Sequence, residues 1–331
     1  MNIDARAYSR AGLLGNPSDG YFGKTISICV CNFSAYVSLF QTPKLVIEPA
    51  SEDTNVFNNI HELVDSVSLL GYYGGTRLIK AAVKRFDQYC RENGIKLENK
   101  NFTVQYHSNI PRQVGLAGSS AIITAAIRAL MQFYEVNIPL DILPGVALSA
   151  ETDELGIVAG LQDRVVQAYE GCVYMDFNKK FMEKNIHGQY ERIDPKLLPS
   201  LYIAFKTDLG EESGKVHNTV HTRFKQGDPL VLETLNRIGE LALEGKQALQ
   251  ENDIPKLNQL INENFDLRSK IMPISKRNHE LVQIARQCGA SAKFTGSGGS
   301  IIGIYKDDRM LADLTSELKK INTKVIKPQV I

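Results

Sequence analysis

Residues 109–127, NIPRQVGLAGSSAIITAAI, run a proline, two glycines and a pair of serines directly into apolar residues at helical spacing. The segment has two readings. In one it is a turn and a helix cap, with Ser119 or Ser120 accepting from the first free amides and glycine allowing the tight entry. In the other it is an anion cradle, because the same geometry points several N–H groups outward at the positive end of the helix dipole, which suits a polyphosphate. A serine hydroxyl in that first turn can also reach a phosphate-bound magnesium. The lysine of the GxxxxGK[ST] P-loop is missing, so a cradle here is of another kind.

Two further stretches supply parts that such a cradle needs. SAETDELGIVAGLQDRV, Ser149–Val165, sets Glu151 and Asp163 on either side of a glycine-containing loop. A magnesium nucleotide needs a carboxylate on the metal, and phosphoryl transfer to an alcohol gains from a second carboxylate near the attacking hydroxyl. As spacing alone, the pair is also what any helix surface carries. KFTGSGGSIIGIY, Lys293–Tyr305, places a Gly-rich turn before an apolar strand, readable as a hairpin loop or as a lid whose amides approach phosphate or substrate.

The remainder of the chain bounds these readings. Its 331 residues can bury a sizeable core and favour about two domains. Lysine and arginine total 38 against 37 acidic residues, so no overall field attracts nucleic acid or an anionic membrane. The opening MNIDARAYSR lacks the order of a secretory leader, and no run approaches the roughly 20 apolar residues of a membrane span, so a soluble cytoplasmic protein is expected. Five scattered cysteines, Cys29, Cys31, Cys90, Cys172 and Cys288, have no paired metal-ligand spacing and read as buried reduced thiols.

Residues 2–14, 24–40, 44–49, 101–108, 201–206 and 300–305 read as strands. Residues 58–70, 75–93, 118–134, 140–154, 163–169, 229–250, 253–270, 276–288 and 308–320 read as helices, with Pro144 tolerated only in a first turn. The polar stretch from Asn178 through Pro199 reads as irregular and is expected to carry the boundary between two domains, 1–190 and 191–331, of an α/β or α+β protein.

In this order the three stretches resemble the motifs of the GHMP kinase superfamily, named for galactokinase, homoserine kinase, mevalonate kinase and phosphomevalonate kinase. The resemblance spans nearly the whole chain. The first motif is YSRAGLLGNPSDGYFG (Tyr8–Gly23), the second Pro111–Ala121 and the third Lys293–Ser300, and the separation of Glu151 and Asp163 resembles that of the metal-binding glutamate and catalytic aspartate of galactokinases. RAGLLGNPSD, YYGG (Tyr72–Gly75), NIPRQVGLAGSSA, ELGIVAGLQDRV, SGKVH (Ser213–His217), NFDLR (Asn264–Arg268) and KFTGSGG are further similar to plant-type glucuronokinases. The resemblance implies an α+β fold, with an N-terminal mixed-sheet domain and a ferredoxin-like C-terminal domain. It also implies ATP and magnesium as cofactors, and transfer of the γ-phosphoryl group to the anomeric hydroxyl of D-glucuronate.

The implied roles carry over residue by residue. Asp163 would face the reacting hydroxyl as general base or orienting group, and Arg10 would stabilise charge near the transferred phosphate. Glu151 would bind magnesium with a serine of the second motif. GLAGSSA is one residue longer than the commoner GLGSSA; counting back from the helix gives Ser120, counting forward from Pro111 gives Ser119, and Ser120 is the expectation carried forward. Pro111, Gly115, Leu116, Ala117, Gly118 and Ser119 would form the phosphate cradle, and Gly296, Ser297 and Gly298 would close over it.

Substrate choice has a physical clue. Asp19 matches an aspartate that galactokinases use on sugar hydroxyls, while Asn16 stands where they have an acidic residue near the C6 end. A carboxylate there would repel a uronate by about 4 kcal/mol at 4 Å and an effective dielectric of 20. Arg6, Arg112, Arg164 and Arg268 are candidates to grip a uronate carboxylate, each equally readable as an ordinary ion pair. Tyr21, Tyr72 and Tyr73 are candidates for the sugar pocket, and His217 and His221 read as solvated or inter-domain side chains rather than a zinc site. Two rival functions stand beside the uronate kinase: another small-molecule kinase of the same superfamily, and a silent ATP- and sugar-binding regulator, which would have no chemical need for Arg10, Glu151 and Asp163 together.

Overall fold

Two long strands open the chain, β1 (Asn2–Leu14) and β2 (Lys24–Thr42), paired antiparallel from Asn2 opposite Phe40 to Leu14 opposite Ile26. From Ala7 onward every residue of β1 is buried, so the polar/apolar alternation of a half-exposed strand is lost where both faces are covered. The computed structural model describes residues 1–50, 53, 74–207 and 214–331, with the side chains of 214–219 left aside. The helix read over 58–70 and the tyrosines Tyr72 and Tyr73 lie outside the described residues.

The opposite edge of β2 is shared by two strands, β4 (Asn101–Ser108) at one end and β5 (Cys172–Asp176) at the other. A short β3 (Val46–Ile47) runs parallel to β4, and β6 (Gln189–Ile193) extends the sheet beyond β5. Helices α1 (Gly75–Glu92), α2 (Gly118–Phe133), α3 (Leu143–Thr152) and α4 (Gln162–Tyr169) cover this sheet. Pro144 lies in the first turn of α3, where its missing N–H costs no helix bond.

After a short α5 (Lys179–Asn185), capped by Asn178, and β6, a second sheet is formed by β7 (Leu201–Lys206), β8 (Lys293–Phe294), β9 (Ser300–Ile304) and β10 (Thr323–Ile326). Its order is β10-β7-β9-β8, antiparallel throughout, which is the ferredoxin-like arrangement. Between these strands lie α6 (Gly214–Lys225), α7 (Pro229–Gln250), α8 (Ile254–Ile271), α9 (Lys276–Gln287) and α10 (Asp308–Lys319). The last four are each capped by an aspartate or serine side chain, Asp228, Asp253, Ser275 and Asp307.

The expected strand at 44–49 contracts to two residues, and the stretch from Asn178 through Pro199 is not irregular, since it holds α5 and β6. β6 is an edge strand with mostly exposed side chains, and such a strand needs too few apolar residues to announce itself. Among the described residues no helix is long and apolar enough to cross a membrane.

Candidate active site

Near the middle of β1, Arg10 is buried and its guanidinium joins three segments. Nη2 lies 2.5 Å from Asp163 Oδ1, and Nη1 donates to Thr295 O at 2.7 Å and Gly115 O at 3.2 Å. The backbone follows the same connections: Arg10 N donates to Leu116 O and Gly12 N to Thr295 O. Asp163 stands in the first turn of α4, where the helix dipole favours a carboxylate, and keeps 19 % of its side chain exposed. One guanidinium therefore gathers the second and third glycine stretches and Asp163 around a single charged group.

Helix α2 begins at Gly118 without a side-chain cap, after Ala117 in the left-handed conformation (φ 60°). Ser119 Oγ donates to Glu151 Oε1 at 2.7 Å, and the other oxygen of this fully buried carboxylate is ion-paired with Arg164. The Ser120 hydroxyl points elsewhere: it is buried and donates to Ala117 O at 3.1 Å, beside Gln167 Nε2, which donates to the same carbonyl at 2.9 Å. The structure thus brings Ser119, and not Ser120, to Glu151. Arg164 also donates to Gly160 O at 2.8 Å and lies 3.5 Å from Asp163 Oδ2; burial, reinforced by the Arg10 charge, lowers its pKa to about 9.

The two glycine stretches pack against each other. A Cβ at Gly296 would come within 2.4 Å of Gly115 O and 3.0 Å of Arg10 Nη1, so only glycine permits this approach. Gly115, at φ 72°, faces the amides of Ser297 and Gly298 from the other side. Arg268, expected at the substrate, instead donates to Gly296 O at 2.7 Å and Ser297 O at 3.2 Å and lies over the Phe294 ring. Its guanidinium braces the turn from beneath. Arg6 is exposed beside Tyr8, and Arg112 is exposed with no hydrogen bond or ion pair to a described residue.

Asp19 sits in the 3-10 turn after β1, its carboxylate packed against Gly160 and facing Asp163. Burial first, then the Asp163 charge, raise its pKa to about 6. Tyr21, in the same turn, packs on Phe224 at 4.8 Å between ring centroids and 6.3 Å from His221; burial and Asp19 push its hydroxyl to about 12. Asn16 does not join these groups. It is 3 % exposed, its side-chain oxygen accepts from Lys293 Nζ, and its amide donates to Phe294 O at 3.4 Å.

Sequence reading missed the buried polar lock behind this turn. Lys293 Nζ also donates to Gly12 O and Phe294 O, both at 2.8 Å, so a fully buried ammonium meets only neutral acceptors and burial lowers its pKa well below the usual range. Asn264 accepts from Gly15 N at 2.8 Å and donates to Asn16 O at 3.0 Å. Lys293 lies between Ala292 and Phe294, and a charge between apolar residues was the one signal; Asn264, in the polar run Asn262–Asn264, gave none.

The description "GHMP kinases N terminal domain" matches residues 77–171, and "GHMP kinases C terminal" matches 246–322. The chain is 46% identical over 306 residues to Glucuronokinase 1 of Arabidopsis thaliana, covering 91% of this chain and 84% of that protein. It is 25% identical over 278 residues to the D-glycero-alpha-D-manno-heptose 7-phosphate kinase of Campylobacter jejuni, covering 82% of this chain and 78% of that one. Among solved structures, Lactococcus lactis galactokinase complexed with galactose superposes with a TM-score of 0.79 at 14% identity, over 100% of this chain and 94% of that one, a likeness of fold alone.

Proposed function

Because the chain belongs to the GHMP kinases, we propose that it is an ATP-dependent sugar 1-kinase whose acceptor is D-glucuronate, giving glucuronate 1-phosphate and ADP. The observation that carries the acceptor is the identity to the Arabidopsis glucuronokinase, nearly twice that to the heptose phosphate kinase and spread over nine-tenths of the chain.

In the reaction the anomeric oxygen forms a bond to the γ-phosphorus, the bond to the β,γ-bridging oxygen breaks, and the hydroxyl proton passes to Asp163. Arg10 holds that carboxylate in position and adds fixed positive charge beside the transferring group. Gly115 through Ser119 offer backbone donors at the uncapped start of α2, and Gly296 through Gly298 face them as the second wall of the cradle. Asp19 would accept from sugar hydroxyls.

A magnesium ion fits the oxygen pair of Ser119 Oγ and Glu151 Oε1, the donor type a hard cation takes, and the geometry supports Ser119 over Ser120 as its partner. When bound it would neutralise phosphate charge. Arg164 and Arg268 are taken up by Glu151 and by the glycine turn, and Arg6 lies over the Tyr8 ring four residues before Arg10 on β1, so Arg112, on the turn that leads into the cradle, is the arginine we assign to the uronate carboxylate. Asn16, locked to Lys293, contributes by leaving no second carboxylate there rather than by touching the sugar.

The test is ATP-dependent ADP release across glucuronate, galacturonate, glucose, galactose and mevalonate, with phosphorus NMR of the product. An anomeric phosphate from glucuronate and little from neutral sugars is expected. Turnover only with another acceptor overturns the assignment, and no turnover with any acceptor points to the silent regulator.

A further inference from the structure

On β2, between the end paired to β5 and the end paired to β4, residues 29–34 have neither strand as a neighbour on that edge. On the other edge the β1 register jumps from Ser9 opposite Val30 to Tyr8 opposite Ser34, leaving Cys31, Asn32 and Phe33 opposite no β1 residue. The ladder is filled in by other backbone: Cys29 N donates to Gly171 O and Cys31 N to Gln329 O, both at 2.8 Å. Within this bulged segment the sulfurs of Cys29 and Cys31 lie 3.6 Å apart. Gly171 N donates to Cys29 Sγ at 3.1 Å, and the Ile331 amide reaches both thiols.

We propose that Cys29 and Cys31 are an oxidation site that closes to a disulfide and, by kinking β2, displaces Arg10. Residues two apart on a strand lie on one face with Cα atoms about 6.6 Å apart, inside the 4.4–6.8 Å range of disulfides, so closure requires the sulfurs to approach to about 2.05 Å. Cys31, Asn32 and Phe33 have no β1 residue opposite them to hold the strand straight, which makes that kink accessible. Cys29 is the direct β1 partner of Arg10, so the kink is delivered to the residue that holds Asp163.

The surroundings suit a thiolate. The Cys31 thiol and the two amides hold the Cys29 thiol below the usual range, against the effect of burial. Gly171 and Ile331, which donate those amides, also line a cavity of about 510 Å³ with Cys172 and Arg192, while Cys31 is itself partly exposed. With hydrogen peroxide as oxidant, the pair loses one proton and holds the other between its sulfurs; as that proton passes to Cys29, the partly exposed Cys31 sulfur attacks a peroxide oxygen as the thiolate. The O–O bond breaks, hydroxide leaves and is protonated to water, and Cys31 becomes a sulfenic acid. The Cys29 sulfur then forms the S–S bond and expels the second water. Two thiols are oxidised and one peroxide is reduced to two waters.

The folded full chain is exposed to hydrogen peroxide, alkylated and digested with trypsin. Peptide Thr25–Lys44 contains Cys29 and Cys31 and no other cysteine. The expected result is this peptide unalkylated and lighter by two hydrogen atoms, with kinase turnover reduced by about 10- to 100-fold and restored by dithiothreitol. Cys31→Ser and Cys31→Ala are expected to keep basal turnover and to lose its sensitivity to peroxide. Alkylation of both thiols after oxidation, or a bond from either to Cys172, overturns the site. A disulfide that leaves turnover unchanged overturns the link to Arg10. The mass readout is independent of which acceptor the enzyme uses.

Discussion

Arg10 and Asp163 form an ion pair of 2.5 Å in which the arginine is nearly buried and the aspartate remains open to solvent on one side. An open carboxylate held by a buried cation is the arrangement a positioned base requires. Asp163→Asn keeps the volume and removes the proton acceptor, so kcat is expected to fall by about 10²–10⁴-fold with the fold retained. Arg10→Lys keeps the charge but cannot reach Asp163, Gly115 O and Thr295 O together, and is expected to lose about 10²–10³-fold in kcat with a lowered melting temperature. Steady-state kinetics with thermal melts check both. Wild-type turnover in a folded Asp163→Asn protein would remove that residue from the chemistry.

Asp19 carries a pH signature. Its folded-state pKa is raised to about 6, above the ordinary carboxyl range, so the native state holds its proton more tightly than the unfolded chain. The protonated form therefore contributes stability that is complete at about pH 4 and lost as pH rises through about 6. Asp19→Asn is expected to raise the melting temperature relative to wild type at pH 8, with the difference shrinking towards pH 4. If the ionised carboxylate accepts from sugar hydroxyls, wild-type KM for the sugar falls as pH rises through about 6, and the variant loses that dependence. Melts and KM profiles over the same buffers measure both.

The adjacent serines separate by geometry. Ser119→Ala removes the hydroxyl facing Glu151 and is expected to raise the magnesium concentration needed for half-maximal rate by about tenfold or more, as a lost metal-site partner does. Ser120→Ala removes a bond to Ala117 O, costing about 1 kcal/mol of stability and leaving the magnesium dependence in place. Titration of the rate with magnesium distinguishes them. The reverse pattern would restore Ser120 to the metal.

Much of this was legible because it lay in local chemistry. The helix after GLAGSS and the glycine turn before Ile301 follow from spacing and glycine placement, and Arg10, Glu151 and Asp163 follow from resemblance. What sequence left open is what depends on side-chain direction. Ser119 and Ser120 differ by about 100° around one helix turn, and only the packed position of Gln167 and Glu151 decides which faces the carboxylate. Arg268 reads as a substrate group because a guanidinium matches a uronate carboxylate, and Asn16 because the resemblance sets it near the C6 end of the sugar, yet their partners, Gly296 O, Ser297 O and Lys293, lie tens to hundreds of residues away in the chain. Lys293 is invisible for the same reason: three acceptors from two segments converge on it only after the sheets meet.

Arg112 and Arg268 therefore give opposite expectations. Arg112 is exposed on the turn ahead of the cradle, so Arg112→Ala is expected to leave stability and the KM for ATP near wild type. Its KM for glucuronate should rise about 10- to 100-fold, the loss of one charge-assisted contact of about 1.5–3 kcal/mol. Arg268→Met leaves the carbonyls of Gly296 and Ser297 without their donor, at about 1–3 kcal/mol each, and loosens the turn that faces Gly115. That variant should melt earlier and bind ATP more weakly while keeping its preference for glucuronate over glucose. Kinetics of both variants with the two sugars, each against varied ATP, decide the matter: a lost uronate preference in Arg268→Met, with Arg112→Ala unaffected, would return the carboxylate to Arg268.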